Sequence, residues 1–248
     1  MHKVTFATLA AVLALAAAPA HATLQIAFSD GLGHVVTCAD GAACDLAGPP
    51  GQLLLLDAVV GNFHVEGSFS TSTAGAPNNL QVSNLTIAND GVLRGTLEMI
   101  VSDTGYIAPV NHINESASLT FNSAVGSLPS SLSFFADTAD GQGAGPGLVI
   151  PGSLLFTNSG APATDPDSFS GSVSSLFDAS GPFSMTEVAS LALRGGATIT
   201  GFNEAMETGV PEPSTWAMLV LGFGLMWFGA VRQRGGRLFP GFMQGNHA

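Results

Sequence analysis

Apolar and polar residues alternate with a period of two, between turn residues, and this pattern constrains the fold of the chain most. It is clearest after the turn Asn89-Asp90-Gly91. The residues expected to be buried there are Leu93, Leu97, Met99 and Val101, and those expected to be exposed are Arg94 and Glu98. Successive side chains of a strand point to opposite faces, so the pattern predicts a strand with one buried face. The Asn-Asp-Gly sequence tolerates positive φ and therefore predicts a β-hairpin.

Similar short segments recur along the middle of the chain, from Thr23 to Gly209, and none shows the apolar stripe of an amphipathic helix. The segments are 24–28, 53–60, 63–69, 85–87, 93–101, 117–122, 131–136, 147–157, 171–177, 185–194 and 197–203. We therefore expect an all-β domain at residues 23–209, a single antiparallel β-sandwich or jelly roll of about ten short strands.

Residues 1–22 have the three parts of a secretory signal peptide. Lys3 makes the start positive, residues 4–18 are apolar, and Ala20-His21-Ala22 forms an A-x-A cleavage site. This pattern predicts export through the Sec translocon and cleavage after Ala22. The alternative is an uncleaved membrane anchor, but the apolar run is shorter than the roughly 20 residues that span a bilayer.

The C-terminal segment 210–237 combines a proline motif, an apolar run and a basic cluster. Residues 210–214 read Val-Pro-Glu-Pro-Ser, and residues 214–231 are long and apolar enough for a transmembrane helix. The basic cluster 232–237 follows directly and consists of Arg232, Arg234 and Arg237. The positive-inside rule places these arginines in the cytoplasm and the middle of the chain on the other side.

This tail resembles the PEP-CTERM sorting signal of exopolysaccharide-producing Gram-negative bacteria, also known as the ice-binding protein C-terminal domain. The resemblance implies that an exosortase, a membrane cysteine protease, recognises Pro211, Glu212 and Pro213 and cuts nearby. It also implies an inner-membrane precursor and a product at the cell surface or in the extracellular matrix. A plain membrane anchor is the alternative. The family usually ends soon after the arginines, whereas residues 238–248 extend this tail.

The charge of the chain lies mostly in its middle part. Of the 18 acidic residues, all but Glu212 lie at positions 23–209, where the basic residues are only Arg94 and Arg194, so that this part carries a net charge of −15. Such a surface repels phosphate backbones, and we expect no nucleic-acid binding.

Cys38 and Cys44 are the two cysteines of the chain. In an oxidising compartment, two neighbouring cysteines predict a disulfide. A metal site with His34 is the alternative, but it lacks a fourth ligand and the usual C-x2-C spacing.

The remaining candidate residues fit no catalytic or cofactor motif, so we expect neither an enzyme nor a cofactor or metal requirement. The histidines of the middle part, His34, His64 and His112, lie in neither an H-E-x-x-H nor a G-x-S-x-G context. Opportunistic calcium binding at the aspartates near Asp137 or Asp165 remains an alternative, although neither place matches an EF-hand loop.

Three functions follow as hypotheses. The first is a non-enzymatic, structural or adhesive protein of the cell surface or matrix in a biofilm. The second is a carbohydrate-binding module for exopolysaccharide, which is disfavoured because the middle part has no Trp and only one Tyr, Tyr106, to stack on sugars. The third, a secreted hydrolase, has the least support.

Overall fold

Two antiparallel sheets make up the part of the chain that the computed structural model describes, which is residues 23–75, 77–107, 109–122, 129–143, 149–157, 167–209, 221 and 223. The twelve strands in these ranges are β1 (Gln25–Ser29), β2 (Val35–Ala39), β3 (Gln52–Val60), β4 (Phe63–Thr73), β5 (Asn79–Asn89), β6 (Gly95–Tyr106), β7 (Val110–Asn122), β8 (Pro129–Asp137), β9 (Val149–Thr157), β10 (Asp167–Ala179), β11 (Phe183–Leu193) and β12 (Thr198–Gly209). The first sheet has the order β2-β1-β6-β11-β8-β9, and the second has the order β10-β7-β12-β5-β4-β3.

The two sheets share one large hydrophobic core, which confirms the predicted all-β sandwich. Alternate residues of both sheets point into this core, among them Phe28, Phe134 and Phe183 of the first sheet and Phe121 and Phe202 of the second. Large aromatic side chains such as these bury the most apolar surface and stabilise the packing of the two layers.

The predicted burial pattern around β6 is correct for the inward residues of the strand and wrong at Leu93 and Glu98. Leu97, Met99 and Val101 are fully buried, and Arg94 is exposed. Leu93, however, is 75% exposed, because β6 begins only at Gly95 and Leu93 lies in the preceding turn. Glu98 is half-buried and not exposed.

The predicted hairpin at Asn89-Asp90-Gly91 is wrong. The strand before the turn, β5, belongs to the second sheet, and the strand after it, β6, belongs to the first. The turn is therefore an arch between the layers. Its geometry is fixed by the side chain of the buried Asn89. The side-chain nitrogen donates to the carbonyls of Leu93 and Leu193 at 3.0 Å each, and the side-chain oxygen accepts from the backbone amide of Gly91.

The other expected elements are mostly present but longer than predicted. All the predicted segments lie on strands or overlap them, whereas β2 was not predicted. The chain has a unit that ends at Val210 and a second unit, Pro211–Ala248. The predicted signal helix and transmembrane helix lie outside the described residues, apart from Leu221 and Phe223, which are helical and exposed. Within the described ranges, no helix is both long and apolar enough to cross a bilayer.

The sandwich has two distinct poles. At the terminal pole, Asn78 bonds to both Ile107, just beyond β6, and Thr208, near the end of β12. Thr23 lies there too, because Gln142 donates to the carbonyls of both Thr23 and Ser102. At the loop pole, the turns before β6 and after β11 meet through Asn89. Both chain ends of the domain therefore emerge at the terminal pole.

The predicted disulfide between Cys38 and Cys44 is confirmed, with 5.8 Å between the Cα atoms. It closes a loop in which the Asp45 carboxylate accepts hydrogen bonds from the amides of Gly41, Ala47 and Leu54 at 2.8 to 3.0 Å. The Leu46 amide in turn donates to the Leu54 carbonyl at 3.0 Å. Since Leu54 lies on the edge strand β3, the loop satisfies backbone groups that an open sheet edge leaves unpaired.

Candidate functional site

A polar face with many serines covers the outside of the second sheet. On β10, β7 and the part of β12 after Phe202, every second residue faces outward, and these residues form rows in register across the three strands. We call this surface the serine face; its members are Ser168, Ser170, Ser172 and Ser174 on β10, Asn114, Ser116, Ser118 and Thr120 on β7, and Asn203, Ala205 and Glu207 on β12. It presents hydroxyl and amide groups at the regular spacing of neighbouring strands.

The serine face is hollowed into a shallow groove. One part of the groove has a volume of about 460 Å³ and includes Gln81 of β5 in its lining. An adjoining part has a volume of about 310 Å³ and extends to Asn114 and Glu207. The two parts share Ser116, Ser172 and Ala205, so they form one continuous depression across four strands.

Backbone irregularities in neighbouring strands lie beside the groove. Gly67 on β4, Asn84 on β5 and Gly201 on β12 have φ values of +71°, +58° and +59°. Around Phe202, the register of β12 shifts relative to both of its neighbours, β5 and β7. Such bulges bend a sheet locally and increase its twist.

Asn203 holds the bulged region of β12 in place. Its side-chain oxygen accepts from the Asn84 amide at 3.1 Å, and its amide nitrogen donates to the Gly201 carbonyl at 2.7 Å and to the Ser118 hydroxyl at 3.4 Å. Asn203 thus links β5, β12 and β7 at one end of the groove. A groove fixed by such cross-strand bonds is preorganised for a ligand.

The described residues that line the groove carry no positive charge. None of the six strands of the second sheet has an arginine or a lysine. The domain's two arginines, Arg94 and Arg194, both lie at the loop pole, outside the strands. The exposed ionisable group of the lining is Glu207.

Three glutamates point into the apolar interior of the sandwich. Glu115 and Glu204 lie on neighbouring strands of the second sheet, behind the serine face, and Glu187 lies on the first sheet. They expose 1%, 1% and 0% of their surface, and none of their carboxyl oxygens has a hydrogen-bond partner. Burial without hydrogen bonds strongly disfavours the ionised form of a carboxyl group.

The pKa values of these carboxyls follow from their burial. Desolvation raises the pKa of Glu115 to about 7. Desolvation, and then the neighbouring Glu204, raise the pKa of Glu187 well above its usual value, and desolvation also raises the pKa of Glu204. The Glu187–Glu204 pair therefore holds protons at a pH at which exposed glutamates are ionised.

The sequence-predicted histidines are not brought together. The Asp30 carboxylate pairs with His34 at 2.6 Å. Asp57 pairs with His64, also at 2.6 Å, and this hydrogen bond raises the pKa of His64. His112 packs against Gly209 and bonds to Asn111. Among the described residues, no group of three or more His, Cys, Asp or Glu side chains is arranged to hold a metal ion.

The remaining predicted site residues lie outside the described part of the chain. These are the cleavage residues Ala20 and Ala22, the motif Pro211, Glu212 and Pro213, and the cluster Arg232, Arg234 and Arg237. Their roles stay predictions.

Sequence reasoning missed both the serine face and the buried glutamates. The signal for the face was serine at every second position of β10, from Ser168 to Ser174. The signal for the glutamates was their place in the alternation, because each stands at a position of its strand where an apolar residue is expected. Glu204, for example, lies two residues from the buried Phe202 and two from the buried Met206.

Comparison with known proteins yields distant structural likenesses alone. No protein-family model and no curated protein matches the sequence. The module TmCBM61 in complex with β-1,4-galactotriose shares 10% identity over 58% of this chain and 88% of its own, with a TM-score of 0.28. The family 11 carbohydrate-binding module from Clostridium thermocellum, in complex with a mixed-linked tetrasaccharide, shares 12% identity over 66% of this chain and 99% of its own, with a TM-score of 0.23.

A third likeness is to the enzymatically active domain of tailspike protein 4 from bacteriophage CBA120, with 9% identity over 58% of this chain and 19% of that chain and a TM-score of 0.28. Likenesses with such low TM-scores carry no argument about this chain. The fold rests on the strand pairing described above, and the function rests on the site.

Proposed function

We propose that this chain is an exported surface protein whose sandwich binds polysaccharide through the serine face, without catalysis. The observation that carries the proposal is the groove, a preformed depression lined by in-register hydroxyl and amide groups such as Ser116, Ser172 and Gln81. Sugar hydroxyls donate and accept hydrogen bonds, and hydroxyl and amide side chains provide both functions. The groove is open along its length, which suits a linear polymer.

The composition of the groove favours weak binding. Among the described residues of its lining there is no aromatic ring to stack on a sugar, and the single tyrosine, Tyr106, is fully buried and bonded to Ser72. A handful of hydrogen bonds that each contribute about 1 kcal/mol gives a dissociation constant on the order of a millimolar. Weak contacts of this kind suit adhesion by many copies in a matrix, because multivalency raises the overall affinity.

The carboxylates of the groove support binding over hydrolysis. Glycoside hydrolysis ordinarily uses two carboxyl groups on either side of the scissile bond. Among the described residues that line the groove, Glu207 has an exposed side chain, whereas Glu115 and Glu204 are turned into the core. No pair of exposed carboxylates therefore faces the groove.

Filling the groove should weaken binding. Ala205 lies at the centre of its floor, between Ser116 on β7 and Gln81 on β5. We expect Ala205→Leu to reduce the retention of the domain by immobilised polysaccharide at least about fivefold, since the branched side chain covers the polar groups that a sugar would contact and supplies no ring to stack on it. The measurement is affinity electrophoresis against a panel of polysaccharide gels.

The matched control is Ala192→Leu, also at a half-buried alanine of a central strand but on the first sheet. It should leave retention unchanged, and circular dichroism should show both variants folded. Equal retention of wild type and Ala205→Leu on every gel would contradict a binding role for the serine face.

We also propose that the C-terminal tail sorts the protein and is then removed by an exosortase. Two prolines keep residues 211–213 extended and unable to join a following helix, which suits a protease cleft. Replacing Pro211, Glu212 and Pro213 by alanine should leave export intact and block processing. Replacing Arg232, Arg234 and Arg237 should instead weaken membrane retention, because each charge opposes passage by a few kcal/mol.

The mass and membrane partition of a tagged protein, in hosts with and without an exosortase, test the sorting proposal. We expect a shortened form in the wild-type host alone. A tail that stays attached in that host would show that the segment is a plain membrane anchor.

A further inference from the structure

Glu207 occupies a distinctive position at one end of the groove. It lies on β12, in register with Asn79 of β5 on one side and Asn114 of β7 on the other. Its side chain is exposed and contributes to the 310 Å³ part of the groove. Two flanking amides leave this carboxylate without a positively charged neighbour in its own row.

Among the described residues, no ion pair compensates this carboxylate, and His112, in the next row opposite Gly209, bonds to Asn111 instead. In the described part of the chain, ion pairs form at His34 and His64, and Glu207 takes part in neither. Arg94 and Arg194 are at the loop pole, whereas Glu207 lies near the end of β12, toward the terminal pole. The carboxylate therefore remains available to a cation of the ligand.

The electrostatic field of the whole domain is negative, like the charge of Glu207. Residues 23–209 carry a net charge of −15, and a surface of one sign attracts ligands of the opposite charge and repels those of its own. A polymer of uronic acids or sulfated sugars would bring further negative charge to a groove whose described lining has neither arginine nor lysine. A polymer with protonated amino groups would meet an unpaired carboxylate.

We infer that the serine face selects polysaccharides that carry free ammonium groups, with Glu207 as the residue that pairs with them. The inference rests on the proposed function, because it names the ligand class of the same groove. Hydroxyl and amide groups such as Ser116 and Ser172 bind the sugar ring, and Glu207 accepts hydrogen bonds from the ammonium. Charge-assisted hydrogen bonds of this kind are stronger than neutral ones.

The experiment compares three short, soluble oligosaccharides of equal length by isothermal titration calorimetry at mildly acidic pH. One is a glucosamine oligomer, the second is its fully N-acetylated counterpart, and the third is a galacturonate oligomer. We expect the glucosamine oligomer to bind best and the galacturonate oligomer not to bind. Glu207→Gln should weaken binding of the glucosamine oligomer about fivefold and leave the N-acetylated oligomer unaffected.

Glu66→Gln is the matched control for diffuse attraction between a polycation and an acidic protein. Glu66 lies on β4 of the same sheet, has a side chain that is 57% exposed, and does not line the groove. It removes the same charge and should change binding of the glucosamine oligomer less than twofold. An equal loss in both variants would show that the attraction is not local to Glu207 and would overturn the inference.

Different results overturn the ligand class and the proposed function. If the neutral and amino oligomers bind equally, and Glu207→Gln changes neither, the ligand-class inference is wrong while polysaccharide binding stands. If no oligomer binds, and Ala205→Leu changes retention on no polysaccharide gel, the proposed function itself is wrong.

Discussion

The free energy of unfolding of the sandwich should fall as the pH rises from about 4.5 through neutrality, because three core glutamates must stay protonated in the folded state. Glu115, Glu187 and Glu204 are buried without hydrogen-bond partners, and each has a raised pKa in the fold. In the unfolded chain, the pKa of a glutamate lies near its ordinary value of 4.5. Below that pH, both the folded and the unfolded chain hold these protons, and the free energy of unfolding does not depend on them.

Above that pH, the unfolded chain releases protons that the folded chain retains. Each such carboxyl lowers the stability by up to about 1.4 kcal/mol per pH unit, until the pH passes its folded pKa. The folded-state pKa of Glu115 is about 7, and the pKa values of the Glu187–Glu204 pair are higher. The hydroxyl of Tyr106, which is also titratable, interacts with Glu187 of this pair, and burial raises the pKa of the hydroxyl well above its usual value.

Glu204→Met is the variant that tests this account. Methionine fills a similar volume without a titratable group, and replacing buried charged groups by apolar ones is often stabilising. We expect the gain in unfolding free energy to be about 2–3 kcal/mol larger at pH 8 than at pH 4.5, because the variant no longer loses stability through this proton. Urea unfolding across this pH range measures it.

Glu207→Met, at an exposed position of the same strand, is the control and should keep the wild-type pH dependence. A wild-type stability that is flat across this pH range would contradict protonated core glutamates. A Glu204→Met curve parallel to the wild-type curve would contradict the assignment to this residue.

Asn78→Ala should be the most destabilising single change of a polar residue at the terminal pole. The side chain is 1% exposed and makes four hydrogen bonds. Its oxygen accepts from the amides of Gly75 and Ile107, and its nitrogen donates to the Ile107 carbonyl and the Thr208 hydroxyl, at 2.8 to 3.1 Å. Alanine leaves these groups unpaired in the interior, at a cost of about 3 kcal/mol or more.

Asn78→Asp separates the hydrogen bonds from the shape of the side chain. Aspartate keeps the volume but cannot donate to the Ile107 carbonyl, so it should destabilise the domain at neutral pH about as much as alanine. Asn114→Ala, at an exposed asparagine of β7, should change the stability by less than about 0.5 kcal/mol. A urea-unfolding midpoint for Asn78→Ala close to that of Asn114→Ala would show that the buried hydrogen bonds contribute little to the stability of the domain.

The strands themselves could be predicted from the sequence because alternation is a local property. Leu97, Met99 and Val101 are buried as their spacing requires. Strand partners could not be predicted, because pairing is set by contacts far apart in sequence. Asn89-Asp90-Gly91 encodes a turn correctly, but whether that turn closes a hairpin or crosses between layers depends on where β11 and β12 insert.

The candidate site was harder to predict than the fold. Exposed serine is the ordinary state of serine in proteins, so the serines of β10 gave no signal by themselves. Their meaning depends on β7 and β12 bringing Ser116, Ser118 and Asn203 into the same rows. The disulfide was predictable because its two cysteines are close in sequence and have no competing partner.

The last two strands of the domain occupy the middle of the two sheets, and this arrangement determines when the domain can fold during synthesis. β11 lies between β6 and β8, and β12 lies between β7 and β5. The first sheet lacks the strand that joins its halves until residue 193 has left the ribosome, and the second sheet lacks it until residue 209 has. A nascent chain with such long-range pairing stays open until its synthesis is almost complete. An unfolded chain of this kind can still be threaded through a narrow pore, whereas a finished sandwich cannot.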